Sequence, residues 1–264
     1  MSPWRALGAE LALWRAAGQR ATFWCRDDDA SHDSPALQRL LGIAERAALP
    51  IAVAAIPATL ERSLVEAVMR SKFATVIQHG YAHRDHAPAN ERKIELGLHR
   101  DIEETLADLA RGAEMLRRGF SDRFLAVLVP PWNRIAAPIV ARLPAVGFVG
   151  LSTLGARTAQ SPVPGLTQCN AHVDVIAWRR DRTFIGVEAA IERALAHLRA
   201  RRESGADPDE ATGVLTHHLD MSNEAWDFLI ELVDRTREHG GVWIDVEAAF
   251  GVAGRAPTIC GRSA

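Results

Sequence analysis

Thr22-Phe23-Trp24-Cys25-Arg26-Asp27-Asp28-Asp29-Ala30 is an apolar run that ends in three adjacent carboxylates. Residues 21–27 predict a strand, so the acidic side chains gather where that strand ends. Neighbouring carboxylates repel one another unless cations offset their charge. The cluster therefore indicates a cation site, with acids favoured by a helix dipole as the simpler alternative.

Other polar clusters also follow apolar runs. His79 ends the run 74–79, Pro130-Pro131-Trp132 ends the run 124–130, and His217-His218 ends the run 213–217. In a β/α barrel the C-terminal ends of the strands share one face, where active sites occur. The four clusters are therefore expected to converge.

Strand-like runs alternate with helical patterns along the chain, which implies parallel strands. Because no glycine-rich phosphate loop opens a helix, a closed or nearly closed barrel is favoured over an open doubly wound sheet. The predicted strands are 21–27, 50–56, 74–79, 124–130, 147–151, 172–178, 213–217 and 242–246. The predicted helices are 3–18, one after Pro35, 60–70, about 98–118, 136–143, 187–203 and 222–239, and 152–170 is a predicted loop.

The composition is that of one globular domain over residues 1–264, with a barrel over about 21–250 and a short C-terminal tail. The chain is 48% hydrophobic and carries a net charge of −2, so it lacks the basic excess of proteins that bind nucleic acid or anionic membranes. Glu10 and Arg15 interrupt the N-terminal apolar residues, and no run of 18 apolar residues occurs. These features predict a cytoplasmic protein without a signal peptide or a membrane span. The three cysteines form no CxxC pair and are expected to be small apolar residues.

The segment His79-Gly80-Tyr81-Ala82-His83 spaces two imidazoles so that they can meet one ion from the same side of a turn. Gly80 allows the backbone to bend sharply there. Two imidazoles and one carboxylate form the ligand set of a catalytic zinc with an open position for water. A second carboxylate could take a proton from that water, and a distant histidine such as His217 could protonate a leaving amine.

Five motifs now stand in order between about Phe23 and His218: the acid cluster, HxxxH, Pro-Pro-aromatic, Asp-x3-Trp and Leu-x-His. This order resembles the polysaccharide deacetylases of the NodB-like type, carbohydrate esterase family 4. The resemblance implies a distorted (β/α)7 barrel that removes an acetyl group from an N-acetylated sugar. It also implies a divalent metal, with Zn²⁺ favoured and Co²⁺, Ni²⁺ or Mn²⁺ as alternatives.

The resemblance assigns roles residue by residue. With Ala30 on the family's glycine, Asp28 is the general base and Asp29 a metal ligand, whereas a slip of one residue would give Asp27 and Asp28. The family's pattern further implies metal ligands His79 and His83, general acid His217, oxyanion donor Trp132, and substrate-binding residues Pro131, Asp174, Trp178 and Arg134.

The sequence departs from the family where Val129 replaces the arginine that orients the base. Arg26 or Arg134 could take its place. Ala30 and Asp27 stand where the family has glycine and phenylalanine, and the usual secretion signal is missing. These departures favour a smaller N-acetyl sugar, a lipid-linked saccharide or a glycoconjugate precursor over a cell-wall polymer.

Three other functions fit the same residues. A glycosyltransferase would use Asp27–Asp29 as a DxD motif with Mg²⁺ or Mn²⁺, but it gives the histidine pair no role. A catalytically degenerate barrel would keep the metal and a saccharide cleft, and Val129 supports it. A related hydrolase would cleave another amide or an ester. The sequence leaves the oligomeric state open.

Overall fold

A computed structural model describes residues 2–178 and 181–252 and shows a curled, all-parallel sheet surrounded by helices. The strands are β1 (Thr22–Ala30), β2 (Ile51–Ala55), β3 (Ala74–His79), β4 (Phe124–Val129), β5 (Gly150–Leu151), β6 (Thr167–Gln168), β7 (Ala171–Asp174), β8 (Thr212–Thr216) and β9 (Val242–Trp243). The helices are α1 (Pro3–Ala16), α2 (Pro35–Ala47), α3 (Arg62–Arg70), α4 (Ile102–Phe120), α5 (Ala137–Val140), α6 (Val187–Arg202), α7 (Asn223–Glu238) and α8 (Val246–Ala249).

The strand order is β6-β5-β4-β3-β2-β1-β8-β7, with β9 beside the start of β1. An isolated bridge between Leu154 and Ala171 links the chain after β5 to β7, so the curled sheet is nearly closed. The prediction of a parallel, nearly closed barrel is confirmed.

Strand β1 lies between β2 and β8, and its side chains alternate between two environments. Phe23 and Cys25 pack in the layer between sheet and helices, whereas Trp24 belongs to the cluster inside the barrel. Because side chains on a strand alternate with period two, Arg26 and Asp28 continue the inner face of Trp24. This alternation brings two charged groups into the barrel interior.

Several predicted boundaries need correction. Strand β1 continues to Ala30, so the three acids lie within the strand and not after it. Helix α4 begins at Ile102, because Asp101 accepts from the N–H groups of Glu103 and Glu104 as its N-cap. The predicted loop 152–170 contains the short strand β6, which pairs with β5.

The remaining bulk predictions concern the cysteines, the tail and membrane spans. Cys25 and Cys169 are free and buried, as expected for small apolar residues. Cys260 and most of the predicted tail lie outside the described residues. Within 2–178 and 181–252, no helix combines the length and the apolar composition needed to cross a membrane.

Candidate active site

The ends of β1 and β3 bring Asp29, His79 and His83 together. The Asp29 Oδ1 atom lies 3.1 Å from His79 Nε2 and 3.2 Å from His83 Nε2. His79 is buried, while about a quarter of each of the other two side chains is exposed. One carboxylate and two imidazoles therefore converge on a point that solvent reaches from one side.

The donor set fits a divalent cation. His79 Nδ1 lies 3.0 Å from the Val129 carbonyl oxygen, which can only accept, so Nδ1 carries the proton and Nε2 keeps its lone pair for a ligand. The three ligating atoms lie within 4.8 Å of one another. Two imidazoles and a carboxylate with a solvent-facing side are therefore a donor set that could hold a divalent cation.

The charges of the three residues are strongly coupled. Burial works to raise the pKa of Asp29, but the hydrogen bond to His79 and the nearby imidazoles outweigh it, and the pKa is lowered. Burial works to lower the pKa of His79, but Asp28 and Asp29 raise it. Burial and the neighbouring His79 lower the pKa of His83, which favours the neutral ring that a metal requires.

The turn between the two histidines requires glycine. Gly80 has a φ of 53°, and a Cβ there would lie 2.0 Å from the Glu95 carboxylate and 2.6 Å from the Pro131 ring. The buried Glu95 accepts from the N–H groups of Tyr81 and Ala82 at 3.2 and 2.7 Å. Glu95 thus holds the turn that places His83, a role that the sequence motifs did not reveal.

The second acid, Asp28, is paired with Arg26. The arginine Nε lies 3.0 Å from Asp28 Oδ1, and its Nη2 donates to Oδ2 at 3.1 Å. Both side chains are buried. The register in which Asp29 is the ligand and Asp28 the base agrees with these contacts and stays a prediction. Arg26 contacts Asp28, whereas Arg134 donates to the Lys93 carbonyl oxygen.

His217 lies on the other side of Asp28, with 4.0 Å between its Nε2 and Asp28 Oδ2. The Trp178 ring packs edge-on against His217 at 4.6 Å, and the indole N–H donates to Asp174 Oδ2 at 2.8 Å. Burial raises the pKa of Asp174. The Trp132 ring lies 4.6 Å from the His83 ring. Each of these two tryptophans therefore packs against a histidine of the candidate site.

The first acid, Asp27, faces away from the other two. Its Oδ1 accepts from Thr216 Oγ1 at 2.7 Å and from the His218 N–H at 2.9 Å, and its Oδ2 lies 2.5 Å from His218 Nδ1. Burial works to lower the pKa of His218, but Asp27 raises it. Asp27 thus anchors both neighbours of His217. The three acids do not converge on one cation, which argues against a DxD site.

Replacing Asp27 by Ala should destabilise the protein, because His218 would remain buried without its carboxylate. Breaking a buried ion pair from one side costs about 3–5 kcal/mol of unfolding free energy. Urea denaturation at pH 7.5 measures the loss. The double variant Asp27→Ala/His218→Leu is the control and should be more stable than the single variant, because no unpaired imidazole remains buried and the volume at position 218 is nearly conserved. A single variant within about 1 kcal/mol of wild type, well below that cost, would contradict the assigned role.

A second group of buried ligand-type residues comprises His172, His197 and Glu210. Both Nε2 atoms approach Glu210 Oε2, at 3.4 and 3.6 Å. The Gly213 N–H donates to His172 Nδ1, so the neutral His172 ring carries its proton on Nε2 and offers no lone pair there. The two rings also stack at 3.3 Å, with their nitrogens side by side. This arrangement is a buried carboxylate held by neutral histidines, and it does not fit a metal site.

The cluster of His172, His197 and Glu210 should lower the free energy of unfolding at acidic pH. Burial lowers the pKa of His197 from 6.5 to about 4, so the unfolded chain binds more protons than the folded one between these values. Stability is therefore lost as the pH falls, by about 2 kcal/mol between pH 7.5 and pH 5 for this group. Urea denaturation of metal-free protein at both pH values measures it. His197→Gln should reduce the pH dependence and the control His99→Gln should not; equal pH dependence in both variants would contradict the assignment.

The sequence matches no family model and no curated protein. Solved structures match its fold. The Bc1960 peptidoglycan N-acetylglucosamine deacetylase is 14% identical, with a TM-score of 0.55 over 89% of this chain and 90% of that one. A carbohydrate esterase family 4 (CE4) esterase from Streptococcus mutans is 13% identical, with a TM-score of 0.56 over 90% of each chain. The CE4 pseudoenzyme BA3943 from Bacillus anthracis is 12% identical, with a TM-score of 0.58 over 88% of this chain and 66% of that one. The chain therefore has the fold of the CE4 polysaccharide deacetylases, at a sequence distance expected of a divergent member.

Proposed function

We propose that this protein is a metal-dependent hydrolase that removes an acetyl group from an N-acetylated saccharide. The observation that carries the proposal is the juxtaposition of two sets of groups. Asp29, His79 and His83 supply three ligands, while Asp28 and His217 lie beside them as a carboxylate and an imidazole 4.0 Å apart. A base, an acid and a cation site are the groups that amide hydrolysis requires.

Each residue of the site would have a distinct role in the reaction. Asp29, His79 and His83 would hold a divalent ion, which when bound polarises the acetamide carbonyl and acidifies water. Asp28 takes a proton from the water whose oxygen bonds to the carbonyl carbon. The backbone N–H of Trp132 donates to the developing oxyanion. His217 gives a proton to the nitrogen as the C–N bond breaks, which leaves acetate and a free amine.

Aromatic side chains beside the site support a saccharide as substrate. Trp178 contacts His217 and Trp132 contacts His83, and Trp178 keeps 38% of its surface exposed. Pro131 packs beside the Gly80 turn. Arg134, to which we also assign substrate binding, follows in the same segment and donates to the Lys93 carbonyl oxygen. In this proposal the tryptophans enclose the acetyl group and the sugar ring.

The proposed function is tested by acetate release from a panel of N-acetylated compounds. Protein loaded with Zn²⁺ or Co²⁺ is incubated with N-acetylglucosamine, its short oligomers and a nucleotide-linked N-acetyl sugar. Activity that requires the ion and appears with at least one compound supports the proposal. Release of a different acyl group would indicate a related amide or ester hydrolase.

A second candidate is a saccharide-binding barrel without activity. Val129 in place of the family arginine favours it, and one structural neighbour is described as a pseudoenzyme. Such a protein would bind a saccharide in calorimetry, keep its ion and release no acetate from any compound of the panel.

A further inference from the structure

We infer that Arg26 is a positioning residue. Its guanidinium binds both the carboxylate of the base Asp28 and the turn that contains Trp132, and so fixes their relative position. The inference rests on the proposed function and names the residue that would make the site competent despite Val129. In this chain the positive charge beside the base comes from β1, two residues before the base itself, and not from the end of β4.

Both terminal nitrogens of the Arg26 guanidinium donate hydrogen bonds. Besides its bond to Asp28, Nη2 donates to Asn133 Oδ1 at 2.7 Å, and Nη1 donates to Ser152 Oγ at 2.7 Å and to the Thr153 carbonyl oxygen at 3.3 Å. The four N–H groups of these two nitrogens, which lie in one fixed plane, thus match four acceptors, while Nε forms an ion pair with Asp28 Oδ1. The Arg26 guanidinium therefore connects the base to the segments that follow β4 and β5.

The position of the arginine follows from the strand. Residues 26 and 28 are two apart on β1, so both side chains point into the barrel. The end of β4 instead supplies Val129, which is fully buried against apolar interior residues that include Trp24 and Ile77. Of these two positions, the one on β1 thus offers a buried cation to the base.

The hydrogen bond to Asn133 stabilises a turn with unusual backbone angles. Trp132 and Asn133 both have a φ of 56°, a left-handed backbone that costs non-glycine residues free energy. The Arg26–Asn133 hydrogen bond holds this strained turn in place. The Arg26 guanidinium therefore orients both the Asp28 carboxylate and the backbone N–H of Trp132.

Arg26→Lys and Arg26→Met test the inference in metal-loaded protein. Lysine keeps the charge but cannot reach Asp28, Asn133 and Ser152 together. A misplacement of about 1 Å can cost 10²-fold in rate, so we expect kcat to fall by about that factor in both variants. KM and metal content should stay near the wild-type values. Arg157→Lys changes another buried arginine, paired with Asp207, and should keep the wild-type kcat.

Two further measurements keep the test decisive. If the Arg26 variants fail to fold, Asn133→Ala is used in their place. It removes the Arg26–Asn133 hydrogen bond and should lower kcat with KM unchanged. Crystal structures of wild type and Arg26→Met report the positions of the Asp28 carboxylate and of residues 131–133 without reference to activity. Displacement of both groups supports the inference.

Two outcomes would overturn it. One is an Arg26→Lys protein with wild-type kcat. The other is an Arg26→Met structure in which Asp28 and the turn stay in place. A wild-type protein that releases no acetate would count against the proposed function, whereas the structural comparison would still judge the role of Arg26.

Discussion

His79→Ala should abolish both metal binding and acetate release. The imidazole offers one of the three atoms that could hold the ion, and its Nδ1 donates to the Val129 carbonyl oxygen. Removing an outer-shell partner of a metal ligand already costs about 10–100-fold in affinity or activity, so losing the ligand itself should cost more. Elemental analysis after dialysis and the acetate assay measure the two losses.

His86→Ala is the control for this prediction. His86 lies in the loop after β3, three residues beyond His83, and it does not belong to the ligand group. The variant should keep its full metal content. A His79→Ala protein that retained one equivalent of metal and released acetate would show that the assigned ligands are wrong.

Asp28→Asn should lower kcat by about 10²–10⁴-fold, the usual contribution of a general acid or base. Asparagine has the shape of aspartate but cannot take a proton from water. Metal content should be unchanged, since Asp28 is not among the grouped ligands. Steady-state kinetics and elemental analysis separate the loss of the base from the loss of the ion.

Asp207→Asn is the matched control, because Asp207 also pairs with a largely buried arginine, Arg157. Asp207 precedes β8, whereas His217 follows it, so about 17 Å of strand separates the two ends. The control should keep the wild-type kcat. If Asp28→Asn also kept it, another group would have to act as the base.

Much of the fold could be predicted from the sequence, because the patterns that identify it are local. Apolar runs followed by helical periods indicated the parallel strands. The helices predicted after Pro35 and over 222–239 are present, with Ser34 and Ser222 as their N-caps. Strand β6 was missed, because two residues in a polar stretch carry no periodicity of their own. Its strand character comes from pairing with β5.

The site was predictable only where motifs define it. The HxxxH spacing and the acid cluster pointed to Asp29, His79 and His83, which the structure brings together. Other contacts of the site depend on residues distant in sequence, because Asp27 binds Thr216 and His218. Arg26 likewise binds Asn133 and Ser152. The fact that residues 26 and 28 share a strand face was the one local signal that could have favoured Arg26 over Arg134.

Four consecutive residues of β1, Arg26 to Asp29, make four different sets of contacts, and the face of the strand on which each side chain lies decides which contacts it can make. A single-codon insertion just before Arg26 that kept the pairing of residues 22–25 would leave all four residues present but turn their side chains to the opposite faces of the sheet. A substitution at one of these positions changes one set of contacts, whereas such an insertion would remove all four sets in one step. Lineages that retain this site should therefore vary in length in the loops around β1 and not within it.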